Sequence, residues 1–268
     1  MGIQSFLFMI AAALSLWVTL LNRRHMNALV EADGQSENAD NGPLVSILIP
    51  ARNEESNIGS CLAALAKQDY RPLEIIVLDD RSTDRTAEII SEFALADERI
   101  HLMNGDDLPS GWVGKNWACH QLAKNTSGEY LLFIDADTVL SSNAVSDALA
   151  SSQVHETDLL TVMPKRTAVC LMERLIFPFI DWAVYCWMPM KLAHRSKSPL
   201  LSATFGQFIF FKRAAYDEIG GHEVIRDNPF DDFELGRLAK QNGLKWRLFH
   251  GMNHVNVLAG GGNIATFK

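Results

Sequence analysis

The sequence predicts an α/β fold, a mostly parallel, doubly wound sheet, preceded by an N-terminal transmembrane anchor. Three observations carry this. Short, mostly apolar runs recur at 44–49 (LVSILI), 73–78 (LEIIVL) and 130–134 (YLLFI), the pattern of strands buried on both faces. Helical stretches of about 10–15 residues separate them, as in successive βα units. Residues 6–21 (FLFMIAAALSLWVTLL) carry no charge.

The anchor comes first. Ile3 to Leu21 spans 19 residues, close to the ~20 that a helix needs to cross the hydrocarbon core. A cleaved signal would place positive charge before the run and small residues after it. Here Arg23, Arg24 and His25 follow the run, so the helix is expected to stay and the rest of the chain to face the cytoplasm. Residues 1–22 are the anchor, 23–43 a polar linker (31–42 read EADGQSENADNG), 44–250 the folded domain and 251–268 a tail.

Within the domain, the first strand stops at Pro50. Asn53 is expected to cap the next helix, with Glu54 and Glu55 in its first turn and Ile58, Leu62 and Leu65 facing the core. The second strand ends at Asp79 and Asp80, and Ser82 or Thr83 caps a helix toward Phe93. Arg99–Met103 is a third strand, Asn116–Lys124 a helix and Tyr130–Ile134 a fourth strand. Further strands are expected at Asp158–Met163 and Gln207–Phe211. A helix is expected over Phe230–Gln241, with Gly243 just past its end.

A chain of 268 residues, 48% hydrophobic and 21% charged, buries a real core. Its formal charge of −8 argues against a nucleic-acid binder, which leans basic. A phosphate-bearing partner would need a metal ion or local basic residues to offset repulsion. Cys61, Cys119, Cys170 and Cys186 form no CxxC pair, which fits free thiols in a reducing compartment.

Ligands of open α/β sheets bind beyond the carboxyl ends of the strands, and the polar residues gather there. The first strand delivers Arg52, Asn53 and Glu54. The second delivers Asp79, Asp80, Arg81 and Asp84, and the fourth delivers Asp135 and Asp137. One such carboxylate is an ordinary helix cap. Three strands ending in carboxylates point instead to a metal ion and sugar hydroxyls, which take oxygen ligands. The Asp135-Ala136-Asp137 triplet can hold a hard divalent cation that bridges two phosphates and makes a diphosphate a good leaving group.

PARNEE at 50–55, LDDRSTD at 78–84, DAD at 135–137 and FDDFELG at 230–236 together resemble family 2 glycosyltransferases. The resemblance spans about 44–250 and implies the GT-A nucleotide-diphospho-sugar transferase fold. LPSGWVGKNWACHQLA at 108–123 is similar to a membrane-anchored subgroup that includes hopanoid-associated and carotenoid-pathway enzymes. By this resemblance Pro50, Arg52 and Glu54 line the nucleoside pocket and Asp80 binds the base, expected to be uracil. Asp135 lies by the ribose and metal, and Asp137 ligates Mn²⁺ or Mg²⁺. Lys115 stands where the family often has a basic residue near the donor; the alternative is a solvated lysine at a helix start. Asp231 and Asp232 match the family's acidic pair, the second being the base in inverting members, with Glu234 as the fallback. An acidic helix N-terminus would look the same.

The Q-x-x-R-W motif of processive members is missing, since Lys245-Trp246-Arg247 does not match it, so a single transfer is expected. Members usually continue past this point with basic, aromatic sequence and further membrane helices, which makes 251–268 a truncated tail by comparison. Residues 168–192 (AVCLMERLIFPFIDWAVYCWMPMKL) fit a core element, a membrane span or an interfacial helix that admits a lipid acceptor. His194, Arg195 and Lys197 would then meet headgroups. The expected function is transfer of one sugar from a nucleotide-diphosphate donor, a UDP-sugar, to a lipid-like acceptor at the membrane. Two alternatives are a non-catalytic nucleotide-sugar-binding remnant and a sugar-phosphate nucleotidyltransferase, although PARNEE lacks the latter's Gly-rich basic loop.

Overall fold

The computed structural model describes residues 2–32, 42–168 and 171–258. Most of the linker, Cys170 and residues 259–268 of the tail lie outside them. In chain order the elements are α1 (Ile3–Asn22), β1 (Val45–Ala51), α2 (Ile58–Leu65), β2 (Leu73–Asp79), α3 (Thr86–Ala96) and β3 (Ile100–Asn104). Then come α4 (Gly114–Lys124), β4 (Tyr130–Phe133), β5 (Thr138–Leu140), α5 (Ala144–His155), β6 (Leu159–Arg166), α6 (Leu171–Trp187) and α7 (Met190–Ala193). The last are β7 (Ile209–Lys212), α8 (Arg213–Glu218), α9 (Gly221–Val224), α10 (Asp231–Gln241) and β8 (Trp246–Val257).

The strands form one sheet in the order β3-β2-β1-β4-β7-β6-β8-β5. β3, β2, β1 and β4 are parallel. β7 runs against both β4 and β6, β8 is parallel to β6, and β5 is antiparallel to β8. The sheet is therefore mostly parallel, as the apolar runs imply. Alternate strand residues point to opposite faces. Ile47, Ile49 and Leu132 pack with Leu62, Ile90 and Val145 on one face. Leu48, Leu131 and Phe133 pack with Leu122, Tyr216 and Leu235 on the other. Helices cover both faces, which makes the sheet doubly wound.

Several local expectations change. Pro50 lies inside β1, paired with Leu78. Its missing N–H costs no ladder bond, because the pairing of β1 with β4 ends at Leu48. Asn53 does not cap a helix. It adopts a left-handed backbone (φ 55°), donates its N–H to Ser82 Oγ at 3.0 Å and accepts from the Thr83 N–H at 2.8 Å through Oδ1. It thus ties the loop after β1 to the loop after β2. Asp84, not Ser82 or Thr83, serves the start of α3, where its Oδ1 accepts from the Thr86 N–H at 3.0 Å. Gly243 does follow α10 with φ 78°, beyond the reach of most side chains. β8 runs to Val257, so the sheet extends past residue 250. The three described cysteines, Cys61, Cys119 and Cys186, are free.

α1 is long and apolar enough to cross a membrane, and it exposes Phe6, Phe8, Leu16 and Trp17. Its last residue, Asn22, is fully buried against the junction of α6 and α7. The Asn22 amide donates to the Tyr185 and Met188 carbonyls at 2.8 and 2.7 Å, and its oxygen accepts from the Met190 N–H at 2.9 Å. Residues beyond it are not free linker. Met26 and Leu29 are buried, and the Val30 and Ala32 N–H groups donate to Ser151 and Asp147 of α5 at 2.7 Å each. Asn22→Ala takes the partner from the buried Met190 N–H and from the half-buried Tyr185 and Met188 carbonyls, at ~1–3 kcal/mol for a buried group left without a partner. A clear loss of stability in denaturant titrations is expected; an unchanged midpoint would show that α1 is not docked this way.

Candidate active site

The strand directions bring the carboxyl ends of β1, β2, β4 and β6 to one edge of the sheet, and the candidate residues gather along it. Pro50 is buried in β1 two positions before Arg52. Arg52 Nη1 pairs with Asp80 Oδ2 at 3.3 Å, and Arg81 reaches the other oxygen of the buried Asp80 at 3.6 Å. Glu54 is fixed by its own N–H, which donates to Thr86 Oγ1 at 2.8 Å, and by Asn57, whose amide donates to its carboxylate at 2.8 Å. Burial lifts the Glu54 pKa above the ordinary value, Asn57 opposes this, and the nearby Asp135 and Asp84 add to it.

The DAD triplet forms the turn between β4 and β5, closed by the Thr138 N–H donating to the Asp135 carbonyl at 3.0 Å. The end of β8 clamps it, the Leu258 N–H donating to the Asp137 carbonyl at 2.9 Å. Asp135 accepts from Lys115 Nζ at 2.9 Å and from Gln207 Nε2 at 3.3 Å. Asp137 is different: its Oδ1 is buried without a hydrogen-bond partner. Burial, then the charges of Asp135 and Glu54, push its pKa up to about 7.

Lys115, at the start of α4, bridges Asp135 to Asp231, 3.3 Å away. It is therefore not a solvated helix-start lysine. Burial alone would lower its pKa, yet Asp135 and Asp231 hold it well above the usual lysine value. Against the pull of burial, Lys115 and then His222 keep Asp231 below the carboxylate range. Asp232 accepts from the Gly206 N–H at 3.1 Å and from its neighbour Phe233 N–H at 2.7 Å. Burial and Asp231 raise its pKa, opposed by Lys115. Glu234 instead pairs with Arg237 at 2.8 Å along the helix.

Sequence reasoning missed three residues here. A Cβ on Gly206 would lie 3.4 Å from Lys115 Nζ and 3.5 Å from both Asp135 Oδ2 and Asp232 Oδ2, so the loop runs in van der Waals contact with the charged cluster. Gln207 holds Asp135. His222 is buried 4.0 Å from Asp231 and shares a 2.7 Å hydrogen bond with the Tyr216 hydroxyl. Burial keeps its pKa low, at about 4, so it is neutral. The Gly-Gln pair directly before the apolar run FIFF was the available signal. His222 offered none.

Asp135, Asp137, Asp231 and Asp232 all feel the charge of Lys115, and Glu54 stands beside Asp135 and Asp137. Among the described residues no group of three or more His, Cys, Asp or Glu side chains forms a ready-made metal cage. A Mg²⁺-like ion needs none, since it binds through one or two carboxylates together with substrate phosphates. The unpartnered, buried Asp137 oxygen fits that role, with Asp135 beside it.

A family model described as "Glycosyl transferase family 2" matches residues 46–220, more than half of the chain. The chain belongs to glycosyl transferase family 2. Among curated relatives of this family 2 chain, the 4,4'-diaponeurosporenoate glycosyltransferase of Staphylococcus haemolyticus is 28% identical over 239 residues, covering 88% of this chain and 61% of the relative. The enzyme of the same name from Staphylococcus aureus (strain USA300) is 27% identical over 238 residues, covering 88% and 60%. The chain thus spans about three fifths of the length of these relatives. Of solved structures, the mannosyltransferase PcManGT from Pyrobaculum calidifontis, in complex with GDP-Man and Mn²⁺, matches with a TM-score of 0.66 and 18% identity, covering 96% of this chain and 67% of that one. S. aureus TarS 1-349 in complex with UDP-GlcNAc matches with a TM-score of 0.55 and 20% identity, covering 82% and 60%. These neighbours establish the GT-A-type mixed α/β fold, and the family membership removes the nucleotidyltransferase alternative.

Proposed function

We propose that this chain is a membrane-anchored glycosyltransferase whose domain faces the cytoplasm. It transfers a single sugar from a nucleotide-diphosphate donor, a UDP-sugar, to the hydroxyl of a lipid-like acceptor, with inversion. The observation that carries this reading is the convergence of Lys115, Asp135, Asp137 and the Asp231–Asp232 pair around Gly206. The nucleotide-sugar complexes of the structural neighbours support the donor class. The carotenoid-related name of the staphylococcal relatives supports a lipid-like acceptor. α1 supports the anchor, and Arg23 and Arg24 behind it support the orientation.

In this reading Arg52 and Asp80, set by their ion pair, take the nucleoside together with Pro50 and Glu54. Asp135 and Asp137 would hold Mn²⁺ or Mg²⁺, which when bound would supply positive charge against the phosphates of the donor. Lys115 supplies a fixed positive charge beside the donor. Asp232 accepts the proton of the acceptor hydroxyl as its oxygen attacks the anomeric carbon. The bond from that carbon to the phosphate oxygen breaks on the opposite face, so one displacement inverts the centre and releases the nucleoside diphosphate. Asp231, tied to Lys115, stays ionised and keeps the Asp232 pKa raised.

α6 serves as the interfacial element. It is not core, because it exposes Leu171, Leu175, Phe179 and Trp182. Glu173, Arg174 and Asp181 argue against a span. His194 does not suit a headgroup contact: it lies 5.9 Å from the Trp246 ring, and burial holds its pKa down at about 3.

A thermal-shift screen of nucleotide sugars with and without Mn²⁺ tests the reading. A ligand at 100 times its Kd stabilises the fold by ~2.7 kcal/mol, so the true donor is expected to raise Tm by roughly 5–10 °C, only with the metal. If no nucleotide sugar shifts Tm with Mn²⁺ present, while the chain is folded, the reading fails; where a donor does bind, a donor-hydrolysis assay separates the transferase from the non-catalytic remnant.

A further inference from the structure

A buried histidine beside the acidic pair has no part in the reaction above. His222 is the second residue of α9 and 1% exposed, and Tyr216 of α8 is buried too. Between them Gly220 and Gly221 take left-handed backbones (φ 76° and 51°). A Cβ on Gly221 would collide with the Tyr216 ring, so only glycine lets the turn bring the phenol back against the chain. The Tyr216 hydroxyl accepts from the His222 backbone N–H at 3.1 Å. It has no third partner among the described residues, so its own proton goes to His222 Nδ1, 2.7 Å away. A neutral imidazole carries one ring proton, and Tyr216 thereby assigns it to Nε2. That nitrogen faces Asp231 Oδ2 at 4.0 Å, just beyond hydrogen-bond distance. The same oxygen is held by Lys115 at 3.3 Å.

We propose that His222 is a positioning residue of the donor site: kept by Tyr216 as the Nε2–H tautomer, it takes the Asp231 carboxylate when the donor diphosphate draws Lys115 away. This rests on the glycosyltransferase reading and deepens it. Asp231 is 6% exposed, and a buried carboxylate stripped of its cation is costly unless another donor replaces it. Apart from Lys115, its carboxylate feels only His222 and the Asp232 N–H. Lys115 is a shared group. Its ammonium also holds Asp135 at 2.9 Å, and incoming phosphates compete with both carboxylates for it. A movement of roughly 1 Å closes the gap between Nε2 and Oδ2 to a hydrogen bond of about 3 Å. Burial keeps His222 neutral, its pKa at about 4, and keeps the Tyr216 phenol protonated. A neutral N–H suits the role better than a cation. It offers Asp231 a directed proton yet adds no charge that would pull the Asp232 pKa back down.

The test follows the His222 ring by NMR in the detergent-solubilised full chain carrying ¹⁵N-labelled histidine, with His222→Gln identifying its signals. UDP with Mg²⁺ is the probe, and its binding is measured in parallel by calorimetry. The native chain is expected to show the Nε2–H tautomer. Its Nε2–H proton should move downfield as UDP binds and the hydrogen bond to Asp231 forms. His222→Phe keeps a ring against Phe133, whose centroid lies 4.9 Å from that of His222, but has no proton to give. It should weaken UDP binding several-fold, because Asp231 then keeps its hold on Lys115. In the Asp231→Asn background the same substitution should change nothing, whereas a merely structural loss would appear in both. The tautomer and its response to UDP are read on the native chain, so the test stands even if His222→Phe fails to fold. An Nδ1–H tautomer overturns the proposal. So does an Nε2–H signal that stays in place while UDP binds, native UDP affinity in His222→Phe, or a loss of equal size in both backgrounds. Absence of UDP binding by the native chain would count against the glycosyltransferase reading, and the tautomer of the free chain would still decide the Tyr216–His222 arrangement.

Discussion

Asp232→Asn is expected to lower sugar transfer by ~10²–10⁴-fold, the usual worth of a general base, while donor affinity stays near native. The asparagine keeps the size of the side chain and can still accept from the Gly206 N–H, which lies 3.1 Å from Asp232 Oδ2. It cannot take the acceptor proton. Donor affinity should hold because the diphosphate and its cation are assigned to the turn between β4 and β5, a different element. Asp231→Asn should cost less, since it removes a charge that acts through Lys115 and through the raised pKa of its neighbour. Glu234→Gln is the control, its carboxylate being engaged by Arg237. Transfer rate against donor Kd for the three variants decides the matter. A native rate for Asp232→Asn with a dead Glu234→Gln would move the base by two residues. Full activity in all three would reduce the acidic run to a helix N-terminus.

The pH dependence of the proposed transfer should follow from the same group. The base works only when ionised, and burial with Asp231 raises its pKa. Transfer should therefore fall with acidification at a higher pH than for an ordinary aspartate.

Asp137→Ala is expected to abolish the Mn²⁺-dependent part of UDP binding and to leave the fold intact, because the residue sits in a turn at the sheet edge. Its pKa, pushed up to about 7 in the fold from an ordinary 3.8, sets the direction of the pH effect. The fold favours the protonated form, so this contribution to stability is full below about pH 4 and is lost as pH rises through about 7. The metal-free native chain should thus lose stability toward pH 8, and Asp137→Ala should lose less. Mn²⁺ requires the ionised carboxylate, so the Tm gain from Mn²⁺ with UDP should be larger at pH 8 than at pH 6 in the native chain and absent in Asp137→Ala. Melts of both proteins at the two pH values check this. A variant that keeps the native gain would take Asp137 out of the metal site.

The parts of this protein legible in its sequence are those fixed by neighbours along the chain. The strands β1, β2 and β4 follow from apolar runs, because a strand buried on both faces needs no alternation. α1 follows from its length without charge, and α10 from its acidic start and the glycine beyond its end. The carboxylates at the strand ends follow from the rule that such edges bind ligands, and the four family motifs carried their likeness to glycosyl transferase family 2. Contacts between distant segments were not legible. Asn53 looked like a cap, since its side chain suits either role, and only the approach of the loop after β2 decided between them. Residues 26–32 looked like linker because two isolated apolar side chains, Met26 and Leu29, and backbone bonds to α5 and β8 anchor them, which leaves no periodic pattern in the sequence. Lys115 could have been solvated; the fold buries it between Asp135 and Asp231, which are 96 residues apart in sequence. Gly206 and His222 gain their places only because β7 and α10 meet at one edge. The sequence by itself determined the parallel strands β1, β2 and β4, the helices α1 and α10 and the chemistry available at the strand ends, through local sterics and burial. Tertiary structure alone decided which charges face one another, because that depends on long-range packing that no local pattern encodes.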